Sequence, residues 1–382
     1  MLTASSITMW YRRHECGFRM AIFFSAATAA GAFGGLLARG IMEMKGVAGL
    51  SGWQWIFIIE GLLTFVVAVI AYKVMQDYPA TAKFLTQEER EEIQARLKLD
   101  RSSLSDEFNL KFFGDAIRDW KIWVHMFITI GIYTGLYSYS LFLPTIINDL
   151  GTAKTPQIAQ LMTVPPYVVA CILCVSGGWY ADKMGQRGIF MIGFILLAYV
   201  SPVTSFSFFF SFFFFSFFFF LSFYPPERAT TLNPANQCHS VIGLIMLMAS
   251  DSSAVRYVGC FFLASGIYPN VPLGVAWNGN NIGGSLKRGV GVACHVGFGN
   301  LGGAISGYLF LAKHKPRYIS GFSVLLGCQL MSLILSIGMT IYLRRENARR
   351  DREYKPPSEY TEAERLAESD KGDNATFFRY TI

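Results

Sequence analysis

Glu60 is the only acidic residue well inside an apolar run of this chain. A carboxylate in such surroundings is costly to keep charged, so it can accept a proton near neutral pH. Other polar side chains also interrupt apolar runs: Tyr133, Tyr137 and Tyr139 in one, Tyr167 in the next, Tyr268 and Asn270 in a third, His295 and Asn300 in a fourth. Tyrosine hydroxyls donate to carboxylates and their rings stack on planar ligands. A histidine can hold an anion or carry a proton. Tyr133 and Tyr137 are four residues apart, hence on one helical face. Each type also has a plain structural use: aromatic packing for the tyrosines, a backbone-bonded carboxylate for Glu60, a satisfied core imidazole for His295. Tyr268 is the strongest cavity candidate. Tyr268-Pro269 and Pro272 interrupt helical hydrogen bonding in mid-run, which is tolerated where a cavity or a neighbouring helix compensates. Asn280 and Asn281 follow at the end of that run and are expected to cap or brace it.

These residues need elements to hold them. A helix that crosses a bilayer needs roughly 20 mostly apolar residues. Eight such spans are predicted, at about 20–41, 54–76, 121–147, 158–181, 188–198 joined to 241–249, 254–277, 289–312 and 320–343. The chain is therefore read as an all-α membrane protein. Its 382 residues are 52% hydrophobic and only 15% charged, where a soluble protein carries roughly 25% charge. The net charge of +7 comes from bases at helix ends, so no nucleic-acid partner is expected. Arg12, Arg13 and Arg19, then Lys183 and Arg187, Lys287 and Arg288, and Arg344, Arg345, Arg349 and Arg350 fall on one side of eight crossings. That side is predicted to be cytoplasmic, with both termini.

The loop 77–120 lies on the same side. Thr86 and Glu89 make a capping box before a mixed-charge helix that runs to about Leu99. A second segment sets Phe112, Phe113, Ala116, Ile117 and Trp120 opposite Lys111, Asp115, Arg118 and Asp119, and is expected to lie along the membrane surface. Residues 344–382 are read as a cytoplasmic tail.

Other chemistry finds no footing. Cys171 and Cys174 form a C-x-x-C on an apolar run, with no second pair and no nearby histidine. The five histidines (14, 125, 239, 295 and 314) make no metal-hydrolase pair, and no phosphate-binding P-loop accompanies the spans. Neither an enzyme nor a cofactor or metal is expected. Residues 206–223 contain thirteen Phe and little besides Ser, a low-complexity tract. Counting it as a ninth span would put the Arg344–Arg350 cluster on the wrong side. Residues 199–240 are read instead as a translated intron, whose removal joins 188–198 to 241–249 in one helix.

Trp10-Tyr11-Arg12-Arg13-His14-Glu15 with Arg19 resembles the W-Y-x-x-x-E-x-x-x-R loop of fungal major facilitator superfamily permeases. Residues 26–35 (AATAAGAFGG) and 52–61 (GWQWIFIIEG) are similar to the next two helices of the allantoate permease group, the anion:cation symporters. Further matches are 137–145 (YSYSLFLPT), 161–167 (LMTVPPY), 266–272 (GIYPNVP), 298–303 (FGNLGG) and 343–351 (LRRENARRD). The family has twelve helices in two six-helix halves. By that register this chain begins near the end of the fourth helix. Residues 1–76 are then a remnant of the first half with two full spans, 77–120 the linker, and 121–343 the whole second half.

The resemblance implies a proton-driven symporter that moves a small organic anion, such as a vitamin, ureide or carboxylate, by alternating access. It is expected to be a monomer, in the plasma membrane. Tyr133, Tyr137, Tyr167, Tyr268, His295 and Asn300 would line the cavity, and Glu60 would take the coupling proton. Asp182 and Arg187 are similar to the superfamily's short gating loop, and Asn280 and Asn281 would brace the inner gate. Against this stands a truncated product that does not transport.

Overall fold

A computed structural model describes residues 15–76, 78–101, 110–150, 155–183, 233–315 and 317–381, together with Ile7, Trp10 and Tyr11. The described residues form helices and no strand. Six of these helical stretches are long and apolar enough to cross a membrane. Helices α1 (Cys16–Met42) and α2 (Gly52–Val74) lie where the first two spans are predicted. The Ser51 and Gln54 capping box starts α2. Arg19 lies 3.7 Å over the ring of Tyr11 and donates to the Glu15 carbonyl, so three residues of the W-Y-x-x-x-E-x-x-x-R motif meet.

In the linker, α3 (Gln87–Arg101) starts from the expected box: Glu89 accepts from the Thr86 N–H at 2.9 Å. The amphipathic α4 (Leu110–Arg118) buries Ala116 and leaves Phe113 and Ile117 exposed, as a helix on a membrane surface would. Asp119 then caps α5 (Trp120–Asp149).

Helix α5 is the axis of the remaining bundle. It packs along α11 (Ser285–Ser306) and α12 (Ile319–Glu353), and it also touches α9 (Ser253–Ile267) and α10 (Asn270–Asn280). Gly302 lets α11 approach it, since a Cβ there would sit 2.6 Å from the Thr134 amide nitrogen. The fourth predicted span is broken at Met162–Thr163 into α6 (Pro156–Leu161) and α7 (Val164–Lys183). Along α7, Gly31 of α1 accommodates the Tyr167 ring.

One expectation falls largely outside the described residues, and another is modified. Of the joined fifth span, 188–198 lies outside the described residues, as does the Phe-rich tract through 232. The other part belongs to α8 (Asn233–Ala249), which runs unbroken through 240–241. The seventh predicted span does form a helix, α11. Its six glycines, with Lys287, Arg288, His295 and Asn300, leave it less apolar than the six membrane-length stretches.

Candidate functional site

The chain breaks helical continuity at Tyr268-Pro269, between α9 and α10. Pro269 has no N–H to donate, and the Asn270 amide reaches back to the Gly266 carbonyl at 2.5 Å. Every residue of α10 is buried. At the break, Tyr268 meets Tyr167 of α7 and Tyr139 of α5, with ring centroids 5.6 and 6.0 Å apart; Tyr139 and Tyr167 are 5.5 Å apart. All three rings are buried. The Tyr268 hydroxyl is 2.9 Å from Ser140 Oγ, and Tyr139 donates to the Cys260 carbonyl at 3.1 Å. These hydroxyls could turn to donate to a ligand oxygen.

The other cavity candidates form a second group, between α5 and α11. Tyr137 donates to Asn300 Oδ1 at 2.6 Å, and its ring lies 6.4 Å from that of Tyr133. His295 is buried, with Thr129 Oγ1 at 2.9 and 3.0 Å from its two ring nitrogens. Thr129 has one proton and donates it to the His125 carbonyl at 2.7 Å, so His295 is the donor between them. The six predicted residues are thus brought together as four and two.

The sequence reading passed over His125. Its ring is buried, 4.8 Å from Trp277 and 6.3 Å from His295, and its Nδ1 has no partner among the described residues. Lys121, His125, Thr129, Tyr133 and Tyr137 recur every four residues, which places a polar stripe on one face of α5. A second polar ladder was also missed. Gln329 of α12 donates to the Gly131 carbonyl at 3.1 Å and accepts from Ser240, and Ser332 donates to the Ile128 carbonyl. Its signal was the spacing Gln329, Ser332, Ser336, Thr340 in an apolar helix.

Glu60 stands on the exposed face of α2, whose apolar stretch has no buried residue. No hydrogen bond or ring contact among the described residues joins its side chain to either tyrosine group. Asp182 falls in the last turn of α7, and Arg187 lies outside the described residues. Asn280 and Asn281 are buried at the far end of α10.

There the chain's own C-terminal segment meets them. Asn281 exchanges two hydrogen bonds with Thr381, at 2.7 and 2.9 Å, and Trp277 Nε1 donates to the Thr381 carbonyl at 3.1 Å. Asn347 exchanges a matching pair with Tyr380, both at 2.9 Å. Arg350 donates to the carbonyls of Asp373, Ala375 and Phe378. Arg349 and Arg350 hold the neighbouring Glu346 carboxyl down to about 2. The predicted tail is a docked element, with Phe377, Phe378 and Tyr380 buried.

A family model described as the Major Facilitator Superfamily matches residues 1–256. Curated relatives include an uncharacterized transporter of Schizosaccharomyces pombe, 27% identical over 98% of this chain and 66% of its own length. The MFS-type transporter efuF of Hormonema carpetanum is 31% identical over 91% of this chain and 62% of its own. The high-affinity nicotinic acid transporter of Saccharomyces cerevisiae is 29% identical over 89% and 55%. The chain spans 66% or less of the length of these three relatives.

Proposed function

Because the chain belongs to the major facilitator superfamily, we propose that it works as a secondary carrier of small organic anions. Membership makes it an integral membrane protein of the transporter class, with a small-molecule substrate and a lipid surround. The finer reading places it with the allantoate permease-like symporters. Residues 1–76 contribute two spans of one half, 77–120 link the halves, and 121–343 form the other half. Loop charge supports a cytoplasmic location for both termini in this reading.

The break at Tyr268-Pro269 carries the proposal. Irregular backbone inside a span is tolerated where it is packed in protein or lines a cavity, and here it coincides with three converging tyrosines. Tyr167 and Tyr268 are the substrate-facing pair. Tyr133, Tyr137, His295 and Asn300 extend the polar wall along α5 and α11. Glu60, on the exposed face of α2, takes the coupling proton. Asp182, Arg187, Asn280 and Asn281 form the inner gate. A relative named as a nicotinic acid transporter supports an aromatic monocarboxylate as the first substrate to try.

Uptake of radiolabelled nicotinate by vesicles that hold the purified chain tests the reading. Saturable uptake driven by an inward proton gradient is expected, and Glu60→Gln abolishes the response to the gradient while leaving exchange of substrate across the membrane. Uptake that ignores the gradient overturns the coupling.

A further inference from the structure

The docked segment Glu368–Thr381 places one carboxylate, that of Asp373, between two lysines. Lys287 donates to Asp373 Oδ1 at 2.6 Å, and Lys121 donates to Oδ2. The Asp373 side chain is 0% exposed, and those of Lys287 and Lys121 are 8% and 13% exposed. Among the described residues each lysine has one further acidic neighbour, and it is the same one: Asp119, at 2.7 Å from Lys287 and 3.6 Å from Lys121. With the segment docked, two cations face two anions. Without it, two ammonium groups share one carboxylate among the described residues, that of Asp119, and the local charge is left positive. The vacated position would therefore take another anion.

The location matters. Lys121 ends the polar stripe of α5, one turn from His125, and His125 packs on Trp277. Trp277 and Asn281, on the end of α10 read as the gate, spend their N–H groups on Thr381. The segment is sited by close backbone approach: a Cβ on Gly283 would sit 2.3 Å from the Asp373 amide nitrogen, and Gly372 supplies φ +57°. Its last two residues are tied to α10 and α12 by side-chain amides that pair with backbone. Water can replace such bonds, so the attachment is separable.

We propose that Lys121 and Lys287 form a carboxylate-binding site at the inner mouth, and that Asp373 of the tail occupies it as an internal substitute for the transported anion. The inference rests on the carrier reading, which supplies the anion that would compete. Arrival of a carboxylate displaces Asp373, frees Thr381 from Trp277 and Asn281, and opens the mouth; departure lets the tail return.

The test uses the full chain in detergent, with tryptic cleavage after Lys371 and Arg379 as the readout of tail release. Sodium acetate is the probe, with acetamide and sodium chloride at matched concentrations as controls. Acetate is expected to accelerate cleavage, and acetamide and chloride to leave it unchanged. Asp373→Asn should speed cleavage by at least about tenfold without acetate, because it strips a buried pair of its charge, and should make it indifferent to acetate. Asp373→Glu should restore protection. Lys121→Met with Lys287→Met should release the tail and abolish the acetate response; should that variant not fold, the two Asp373 variants decide alone. Cleavage unmoved by acetate, or equally fast in the wild type and Asp373→Asn, overturns the inference. Because acetate probes the lysines directly, this result stands apart from the carrier reading, which fails separately if vesicles take up no carboxylate.

Discussion

Helix α2 and the broken pair α9–α10 invert the rule for soluble proteins. Residues 52–74 make the most apolar of the six membrane-length helices, and Gly52 at its start is its one buried residue. The stretch Ser253–Asn280 is among the least apolar, and 78% of its most apolar 18 residues are buried. Lipid tails solvate leucine as well as a protein core does, so apolarity does not drive a helix inward. Close backbone packing and polar groups that need partners do. Burial in this chain therefore marks the helices that hold polar side chains, the ones proposed above to line the substrate path.

A matched pair of glycines breaks the comparison most severely. Gly302→Ala pushes a methyl group against the Thr134 backbone, whereas Gly61 on α2 has nothing within 4 Å of its would-be Cβ. We expect Gly302→Ala to cost about 1–3 kcal/mol and Gly61→Ala to stay within about 0.5 kcal/mol. Thermal unfolding in detergent measures both, and equal losses would sink the distinction. Next comes the ladder on α12. Gln329→Leu removes its bonds to the Gly131 carbonyl and the Ser240 hydroxyl, at about 1–3 kcal/mol for the two, while Leu62→Ala on the exposed face of α2 is nearly silent. Tyr268→Phe is milder, about 1 kcal/mol for the Ser140 bond, yet it should raise the KM for uptake several-fold; an unchanged KM removes Tyr268 from the substrate.

The smallest effect concerns pH. Burial opposes the charge of Asp373, but Lys121 and Lys287 hold its carboxyl below the usual carboxylate range. A depressed group stabilises the docked form above its free value of about 3.9 and loses that contribution as pH falls through its bound value. Tail docking should be flat from about pH 5 to 8 and weaken only in acid, which a fluorophore on Lys371 can follow. Release near neutrality would mean that another group governs the tail.

Much of this was legible from local rules. Thr86 with Glu89 is a capping box that depends on three-residue spacing alone, and Pro269 ends a helix because it has no proton to give. The superfamily showed in ordered motifs such as Trp10–Arg19. What escaped were contacts between residues far apart in the chain. Lys287 reads as a topological base, and nothing nearby announces that Asp119 and Asp373 will both reach it. Tyr167 and Tyr268 looked like partners of Tyr133 and Tyr137, but helix packing sorted them into separate groups. His125 lies in the four-residue polar spacing of α5, a pattern the sequence carries, but only the fold sets it beside Trp277 and His295.

Substrate uptake measured together with Tyr268 bears most directly on the carrier account. Vesicles containing the wild-type chain and the Tyr268→Ala variant, matched for folded protein, would be loaded against radiolabelled nicotinate and a panel of small carboxylates. The account predicts saturable uptake of at least one anion by the wild type and its loss in the variant. Uptake no greater than in empty vesicles for every anion, or undiminished in Tyr268→Ala, would contradict it.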